Sequence, residues 1–319
     1  MPYESERQYV EGVRRFVRGA TRTGSPIVIA VPGQRLERLK DELAGELERV
    51  ELVDMSELGA NPARIVPAIR AAIDAHPQET VHVVAEVVWE GRSGEEIAEA
   101  LRHEALINRA FADDPVEILC PYDISVTEPR VISDAERAHP CVQDGEGTRR
   151  SASYSARGLP AGAEAPLPEP PAHATSLRFG LADLVRVRSV VSEEAARADL
   201  TLGQCGEVVL AVNELATNSV QHGGGTGVLQ CWHEHGRLTC QISDSGRIRD
   251  PLAGRVRPAP GARGGRGLWL VNQLCDLVQI RTGPRGTAVR IHAARRGTDE
   301  SGGRALVTAH ARVQPGTSW

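Results

Sequence analysis

Glu214-Leu215-Ala216-Thr217-Asn218-Ser219-Val220-Gln221-His222-Gly223 is the stretch from which the fold of this chain is most directly read. An acid, an amide and an imidazole recur in it at four-residue steps. Each helical residue turns by about 100°, so Glu214, Asn218 and His222 lie within about 80° of one another on a single helix face. A carboxylate accepts a proton, and an amide oxygen ligates a hard cation such as Mg2+. Asn disfavours helix interiors, so Asn218 asks for a reason to be there. His222 precedes Gly223-Gly224-Gly225, where the helix is predicted to end. Complementing the helix dipole explains a histidine at that place better than chemistry does.

Further along, Asp244-Ser245-Gly246 closes a predicted strand. Such a group makes a turn or offers Asp244 as acceptor for an exocyclic amine like that of adenine. Gly264-Gly265-Arg266-Gly267-Leu268-Trp269-Leu270-Val271 is a glycine turn feeding an apolar helix. A turn of that kind leaves backbone N–H groups at the positive end of a helix, which suits a phosphate. Arg263 and Arg266 flank the turn and can add charge-assisted bonds. Gly286-Thr287 opens the last strand. Each signal is weak alone, but the order and spacing of all four read as a nucleotide site. No Gly-x-x-x-x-Gly-Lys-Ser/Thr loop occurs anywhere in the chain.

The surrounding pattern divides the 319 residues into two domains. Residues 1–142 alternate strand and helix signals. Strands are predicted at 26–31, 50–53, 81–88 and 116–119, and helices at 34–47, from Asn61-Pro62 to 74, and from Ser93 to 111. This is the pattern of a parallel α/β sheet. Residues 143–175 are rich in Gly, Ala, Ser and Pro and read as a linker. Residues 176–294 predict a strand at 176–181, helices at 182–198 and 202–222, and strands at 227–233 and 237–243. A polar loop at 246–265, a helix at 267–275 and strands at 278–281 and 287–293 complete an α+β sandwich with an antiparallel-type sheet. Residues 295–319 read as a flexible tail.

Composition narrows the function classes. The net charge of −5 gives no electrostatic case for direct nucleic-acid binding. Aromatic residues make up only 3%, so the cores are expected to be aliphatic. The six cysteines show no C-x-x-C spacing and read as reduced thiols. The charged N-terminus lacks a signal-peptide pattern and no stretch is long enough to span a bilayer, so no membrane association and a cytoplasmic location are expected.

The Glu214 to Gly223 stretch, with Asp244-Ser245-Gly246, Gly265-Arg266-Gly267 and Gly286-Thr287, resembles the GHKL ATPase superfamily over about residues 176–293. It is most similar to the bacterial anti-sigma-factor serine/threonine kinases, whose N box Glu-Leu-x-Thr-Asn-x-x-x-His-Gly is matched by Glu214, Leu215, Thr217, Asn218, His222 and Gly223. The resemblance implies a Bergerat-type sandwich binding ATP with Mg2+. Asn218 would then ligate the metal. Asp244 would accept the adenine amine, with Gly246 and Thr287 assisting. Residues 247–265 would form a lid, and Gly265, Gly267 and Leu268 with Arg263, Arg266 and His222 would complete the nucleotide site. Glu214 would take the proton from a substrate hydroxyl. Ile248 stands where the resemblance places a second glycine, which stiffens the lid hinge. No dimerisation helix with a phosphoacceptor histidine precedes the domain.

Residues 1–142 resemble the MEDS sensory domain, which implies a RecA-like fold. The resemblance rests on Val53-Asp54-Met55, Asn61-Pro62-Ala63-Arg64-Ile65, Trp89-x-Gly91-Arg92-Ser93, His103-Glu104-Ala105-Leu106-Ile107-Asn108 and Cys120-Pro121-Tyr122-Asp123. A small-molecule site near Trp89, Arg92, His103 and Tyr122, at the carboxyl ends of the strands, is the functional expectation. Packing on an amphipathic helix explains His103 and Glu104 equally well, and a surface stack explains Trp89 with Arg92.

The expected function is an ATP-dependent kinase that binds a sigma factor and phosphorylates Ser or Thr of its STAS-type antagonist, gated by the N-terminal domain. Kinases of this type often form homodimers. Two alternatives remain: a nucleotide-responsive module that sequesters a partner without phosphotransfer, and an atypical sensor histidine kinase.

Overall fold

The structure is a computed structural model, described here for residues 1–145, 147–155, 165–259, 261 and 264–296. The N-terminal half runs β1 (Pro2–Tyr3), α1 (Glu6–Thr23), β2 (Ile27–Val31), α2 (Gly33–Glu42), β3 (Val50–Asp54), α3 (Met55–Leu58), a 3-10 turn (Pro62–Arg64), α4 (Ile65–Ala75), β4 (Val81–Ala85), α5 (Gly94–Ala110), β5 (Val116–Leu119), β6 (Tyr122–Asp123) and α6 (Pro129–Ala138). Strands β2 to β5 form a parallel sheet in the order β3-β2-β4-β5.

Successive side chains on a strand face opposite ways, and both faces of this sheet are covered. Ile27, Ile29 and Val31 pack with Tyr9, Val13 and Val17 of α1 and Leu36 and Leu39 of α2. Ala30, Val81, Val83 and Ala85 pack with Ile65, Ile69 and Ile73 of α4 and Ala100 and Leu101 of α5. Ser93 caps α5 and forms a capping box with Glu96, as an N-cap followed by acids predicts.

Three features differ from the sequence reading. Helix α2 stops at Glu42 rather than 47, and Gly45 (φ +89°) turns the chain away. Strand β4 ends at Ala85, where Glu86 is buried among polar partners. Helices α1 and α6 have no counterpart among the predicted elements. The apolar stripe of α1 (Tyr9, Val10, Val13, Val17, Ala20) is narrow and interleaved with arginines.

Strands β7 (Cys141–Gln143) and β8 (Thr148–Arg150) form an antiparallel hairpin. It crosses the expected boundary at 142 and occupies the start of the expected linker. Buried Val142 ties it to the N-terminal half. Residues 156–164 of the linker and 297–319 of the expected tail lie outside the described residues.

The C-terminal half runs β9 (Thr175–Gly180), α7 (Leu184–Arg197), α8 (Leu202–His222), β10 (Thr226–Glu234), β11 (Arg237–Asp244), α9 (Arg266–Leu274), β12 (Leu277–Gly283) and β13 (Gly286–Ala294). The sheet order is β12-β13-β11-β10-β9, antiparallel throughout. Leu238, Cys240, Ile242, Leu229 and Ile291 pack against Val187, Val191, Val208, Val212 and Leu215 of α7 and α8. The alternating residues Thr239, Gln241, Gln279, Arg290 and His292 are polar, yet they are also buried. This second face is roofed, and Arg290 on it donates to the carbonyl of Pro168 (2.5 Å) and to Gln241.

Among the described residues no helix is long and apolar enough to cross a membrane.

Candidate functional site

Helix α8 is long because Thr201 and Gln204 make a capping box at its start, and it carries Glu214, Asn218 and His222 toward its end. One face of α8 is committed to the core through Val208, Ala211, Val212, Leu215 and Ala216. Glu214 and Asn218 fall on the half-buried flank beside it, and the His222 side chain is exposed at the terminus.

That flank meets the start of α9. Gly265 takes a left-handed conformation (φ +83°) as N-cap, and none of its own atoms beyond the backbone can cap the helix. Two residues on, Gly267 comes so close to α8 that an added Cβ would lie 2.8 Å from Glu214 Oε2 and 3.2 Å from Asn218 Nδ2. A carboxylate, an amide and the positive end of a helix therefore converge at one point. Backbone N–H groups there remain available to an anion. Leu268 is half-buried against the C-terminal core and Arg266 is exposed at the first turn. Arg263 lies outside the described residues.

The second part of the site is built around Asp244. Its Oδ2 accepts from Ser219 Oγ on α8 (2.6 Å) and its Oδ1 from the Gly246 amide (2.8 Å). Each carboxylate oxygen keeps acceptor capacity beyond these bonds. Thr287 is the β13 residue paired with Asp244, and its hydroxyl donates to the Gly246 carbonyl (2.9 Å). Gly286 (φ +117°) is required there, since a Cβ would collide with the Asp244 carbonyl. Asp244, Gly246 and Thr287 thus form one cluster, joined to α8 through Ser219. Sequence spacing did not single out Ser219, although it lies within the quoted stretch and one residue after Asn218.

The site fits a nucleotide with a divalent cation. Asp244 presents a fixed acceptor, Asn218 a hard amide oxygen, and the Gly265–Gly267 turn an uncapped helix start.

The loop expected to act as a lid, 247–265, is anchored at Arg255, which is buried. Arg255 Nη2 reaches Glu99 Oε2 of α5 (3.3 Å), and Glu99 Oε1 accepts from Arg281 of β12 (2.7 Å). Burial lowers the Arg255 guanidinium to about 10, and Glu99 opposes that shift. The same flank of the N-terminal domain holds α9. Asn61 Nδ2 donates to Asn272 (3.0 and 3.1 Å), Arg64 Nε donates to the Asn272 carbonyl (2.9 Å), and Arg64 also binds the Cys275 carbonyl. Asn272 in turn donates to the carbonyl of Gly254 in the lid (3.0 Å). Arg237 of β11 pairs with Glu95.

The residues proposed for a sensor site separate into two groups. The Arg92 guanidinium lies over the Trp89 ring at 3.7 Å and donates to the carbonyls of Val87 and Gly59. His103 is fully buried with neither ring nitrogen hydrogen-bonded. Burial first, then the nearby Arg255 and Arg92, lower its pKa to about 3. Tyr122 instead donates its hydroxyl to Glu104.

Residues 1–140 match the MEDS family (MEthanogen/methylotroph, DcmR Sensory domain). Residues 177–293 match the histidine kinase-like ATPase domain. Comparison with curated proteins finds no match. The chain therefore joins a MEDS domain at its N-terminus to a GHKL-like ATPase domain at its C-terminus, the makeup of an ATP-dependent, kinase-like regulatory protein.

Proposed function

We propose that this chain is a protein serine/threonine kinase of the anti-sigma type, which binds a sigma factor and phosphorylates a Ser or Thr of the factor's STAS-type antagonist. The observation that carries this reading is the meeting of Glu214 and Asn218 over Gly267 at the start of α9. A site built only to hold nucleotide needs no carboxylate at the point where phosphate and helix terminus come together. Mg-ATP, when bound, supplies the transferable phosphoryl group. Asn218 would hold the cation, Asp244 with Thr287 and Gly246 would orient the base, and the α9 backbone would hold phosphate oxygens. Glu214 would remove the proton from the incoming hydroxyl, and positioning would supply most of the remaining rate.

The N-terminal domain is proposed to gate the reaction through the lid. Glu99 grips Arg255 within the lid, and Asn61 and Arg64 hold the far end of α9. A ligand that shifts α5 would move the lid through Glu99, and one that shifts the turn at Asn61–Arg64 would move α9.

The test measures ATP binding and phosphate transfer to a STAS-type antagonist in the same preparations. Glu214→Ala is expected to bind ATP with Mg2+ as wild type does while losing about 10²–10⁴-fold in transfer. Asn218→Ala and Asp244→Ala are expected to weaken ATP binding. Transfer that survives Glu214→Ala removes the assigned base.

A second reading, a nucleotide-responsive module that sequesters its partner without transfer, is favoured by Ile248 in place of a hinge glycine. ADP production that does not rise on adding the antagonist, with partner binding still ATP-dependent, would select it. An acid-labile phosphoryl group on the chain would instead indicate autophosphorylation on histidine.

A further inference from the structure

The carboxyl end of the N-terminal sheet holds a cluster that the ATP reaction does not use. Glu104 projects from α5, Cys120 follows directly on β5, and His139 caps the end of α6. One carboxylate oxygen, the thiol sulfur and one imidazole nitrogen all lie within 4.8 Å of one another. Glu104 and Cys120 are buried, at 1% and 4% exposure, and His139 closes the outer side.

The hydrogen bonding around this cluster is incomplete in a specific way. His139 Nδ1 lies 2.8 Å from the Ala135 carbonyl, which can only accept, so Nδ1 carries the proton. In the neutral ring the lone pair is then on Nε2, the atom a metal would take. Nε2 faces Glu104 Oε1 at 3.7 Å, too far for a hydrogen bond. Both atoms are buried with no hydrogen-bond partner among the described residues. Two buried polar atoms this close without a hydrogen bond are stabilised by a positive charge between them, which a bound cation supplies to the neutral ring. The buried Met1 ammonium donates to the Cys120 carbonyl (2.8 Å) and interacts electrostatically with Cys120 and Glu104 from that side of the cluster, while the space between Glu104 Oε1 and His139 Nε2 lies on the other ligand pair.

The supporting contacts are those of a metal centre. A ligating histidine usually donates its other nitrogen to a backbone carbonyl, and a ligating carboxylate is usually hydrogen-bonded on its second oxygen. Ala135 does the first. Tyr122, through Glu104 Oε2, does the second. Asn108 Nδ2 donates to the Ala138 carbonyl (2.6 Å) and holds the end of α6 in place.

We infer that Glu104, Cys120 and His139 form a site for a divalent transition metal of the zinc class, with the fourth position left to solvent or a small exogenous donor. Thiolate, imidazole and carboxylate together suit Zn2+ rather than Mg2+ or Ca2+. Tetrahedral Zn2+ places its ligand atoms about 3.3–3.7 Å apart. The Glu104–His139 separation of 3.7 Å is a few tenths of an ångström longer than the roughly 3.3–3.5 Å of a zinc-bound oxygen and nitrogen, and Cys120, within 4.8 Å of both, needs to close by about 1 Å. The inference does not depend on the kinase reading, because neither Glu104, Cys120 nor His139 belongs to the ATP site.

The test uses the full chain, purified after chelator treatment and titrated with Co2+ as a probe. Wild type is expected to take up one Co2+ per chain with a thiolate-to-cobalt charge-transfer band, and Zn2+ is expected to displace it. Cys120→Ser should abolish the band, while Cys141→Ser, at an exposed cysteine, should leave it intact. Tyr122→Phe keeps all three ligands and should weaken affinity about 10–100-fold. If Cys120→Ser does not fold, His139→Gln, at the more accessible ligand, serves instead. Folded wild type without the charge-transfer band, or a band that persists in a folded Cys120→Ser or His139→Gln protein, overturns the assignment.

Discussion

Gly267 has no side chain, and Glu214 and Asn218 occupy the room that one would take. Gly267→Ala is expected to leave the far-ultraviolet spectrum unchanged, since Ala is the better helix former. ATP affinity in a binding titration should fall about tenfold or more, from roughly 1–3 kcal/mol of overpacking. Unaltered affinity would mean that the meeting of α8 and α9 is not where phosphate is held. Glu86 gives a second residue-scale expectation. It accepts from Arg35 (2.6 Å), Tyr9 (3.2 Å) and Tyr3 (3.4 Å), yet burial outweighs these and raises its pKa from 4.5 to about 8. Its native carboxyl holds a proton that the unfolded chain has released, so stability should fall as pH rises from about 4.5 to about 8. His103 and His292 act in the opposite sense. Each is lowered from 6.5 to about 3, chiefly by burial, so their contribution is lost as pH falls through that window. Between pH 6.5 and 8 only Glu86 of these three groups changes its contribution. Glu86→Gln should therefore flatten the melting temperature across that interval, and an unchanged slope would assign the effect elsewhere.

At the scale of elements, α5 meets the 247–265 loop and strands β11 and β12 across the two domains. Glu99 is 1% exposed and sits between Arg255 and Arg281, themselves 6% and 9% exposed. Removing Glu99 alone strands two buried guanidinium groups, so Glu99→Gln is expected to cost about 3–5 kcal/mol in denaturant unfolding. Pairing it with Arg255→Met should recover part of that loss, with a coupling of about 0.5–3 kcal/mol in the double-mutant cycle. Strict additivity would show that the clasp is not formed in solution. The length of α8 was legible, because Thr201 opens it, apolar residues recur at helical spacing and glycines follow His222. Helix α1 was not, since its apolar stripe is broken by Arg14, Arg15 and Arg18. These make ion pairs or hydrogen bonds with Glu42, Glu46 and the Asp144 carbonyl, none of which is near in sequence.

Across the whole molecule, the contacts of Asn61, Arg64, Glu95 and Glu99 bind the MEDS domain to the lid, to α9 and to the ATPase sheet. ATP at about 100 times its dissociation constant should stabilise its domain by about 2.7 kcal/mol. With the interface intact, amide hydrogen exchange in α5 is expected to slow on adding ATP. In an Arg64→Ala, Glu99→Gln chain the slowing should be confined to residues 177–293, and slowing in α5 that persists would mean that coupling runs by another route.

Domain order, the helix bearing Glu214 and Asn218, the strand ending in Asp244 and the glycine turn before α9 were all readable from residue patterns. Periodicity, caps and turn residues act within a few positions, so the local chain encodes them directly. What folding alone decided is which charged groups leave water. Glu99 meets Arg255 and Arg281 across 156 and 182 residues, and Glu104 meets Cys120 and His139 at the end of a sheet. In sequence each is one more acid on an amphipathic helix. Desolvation and pairing depend on what packs over a side chain, and that is a property of the assembled core rather than of any local stretch.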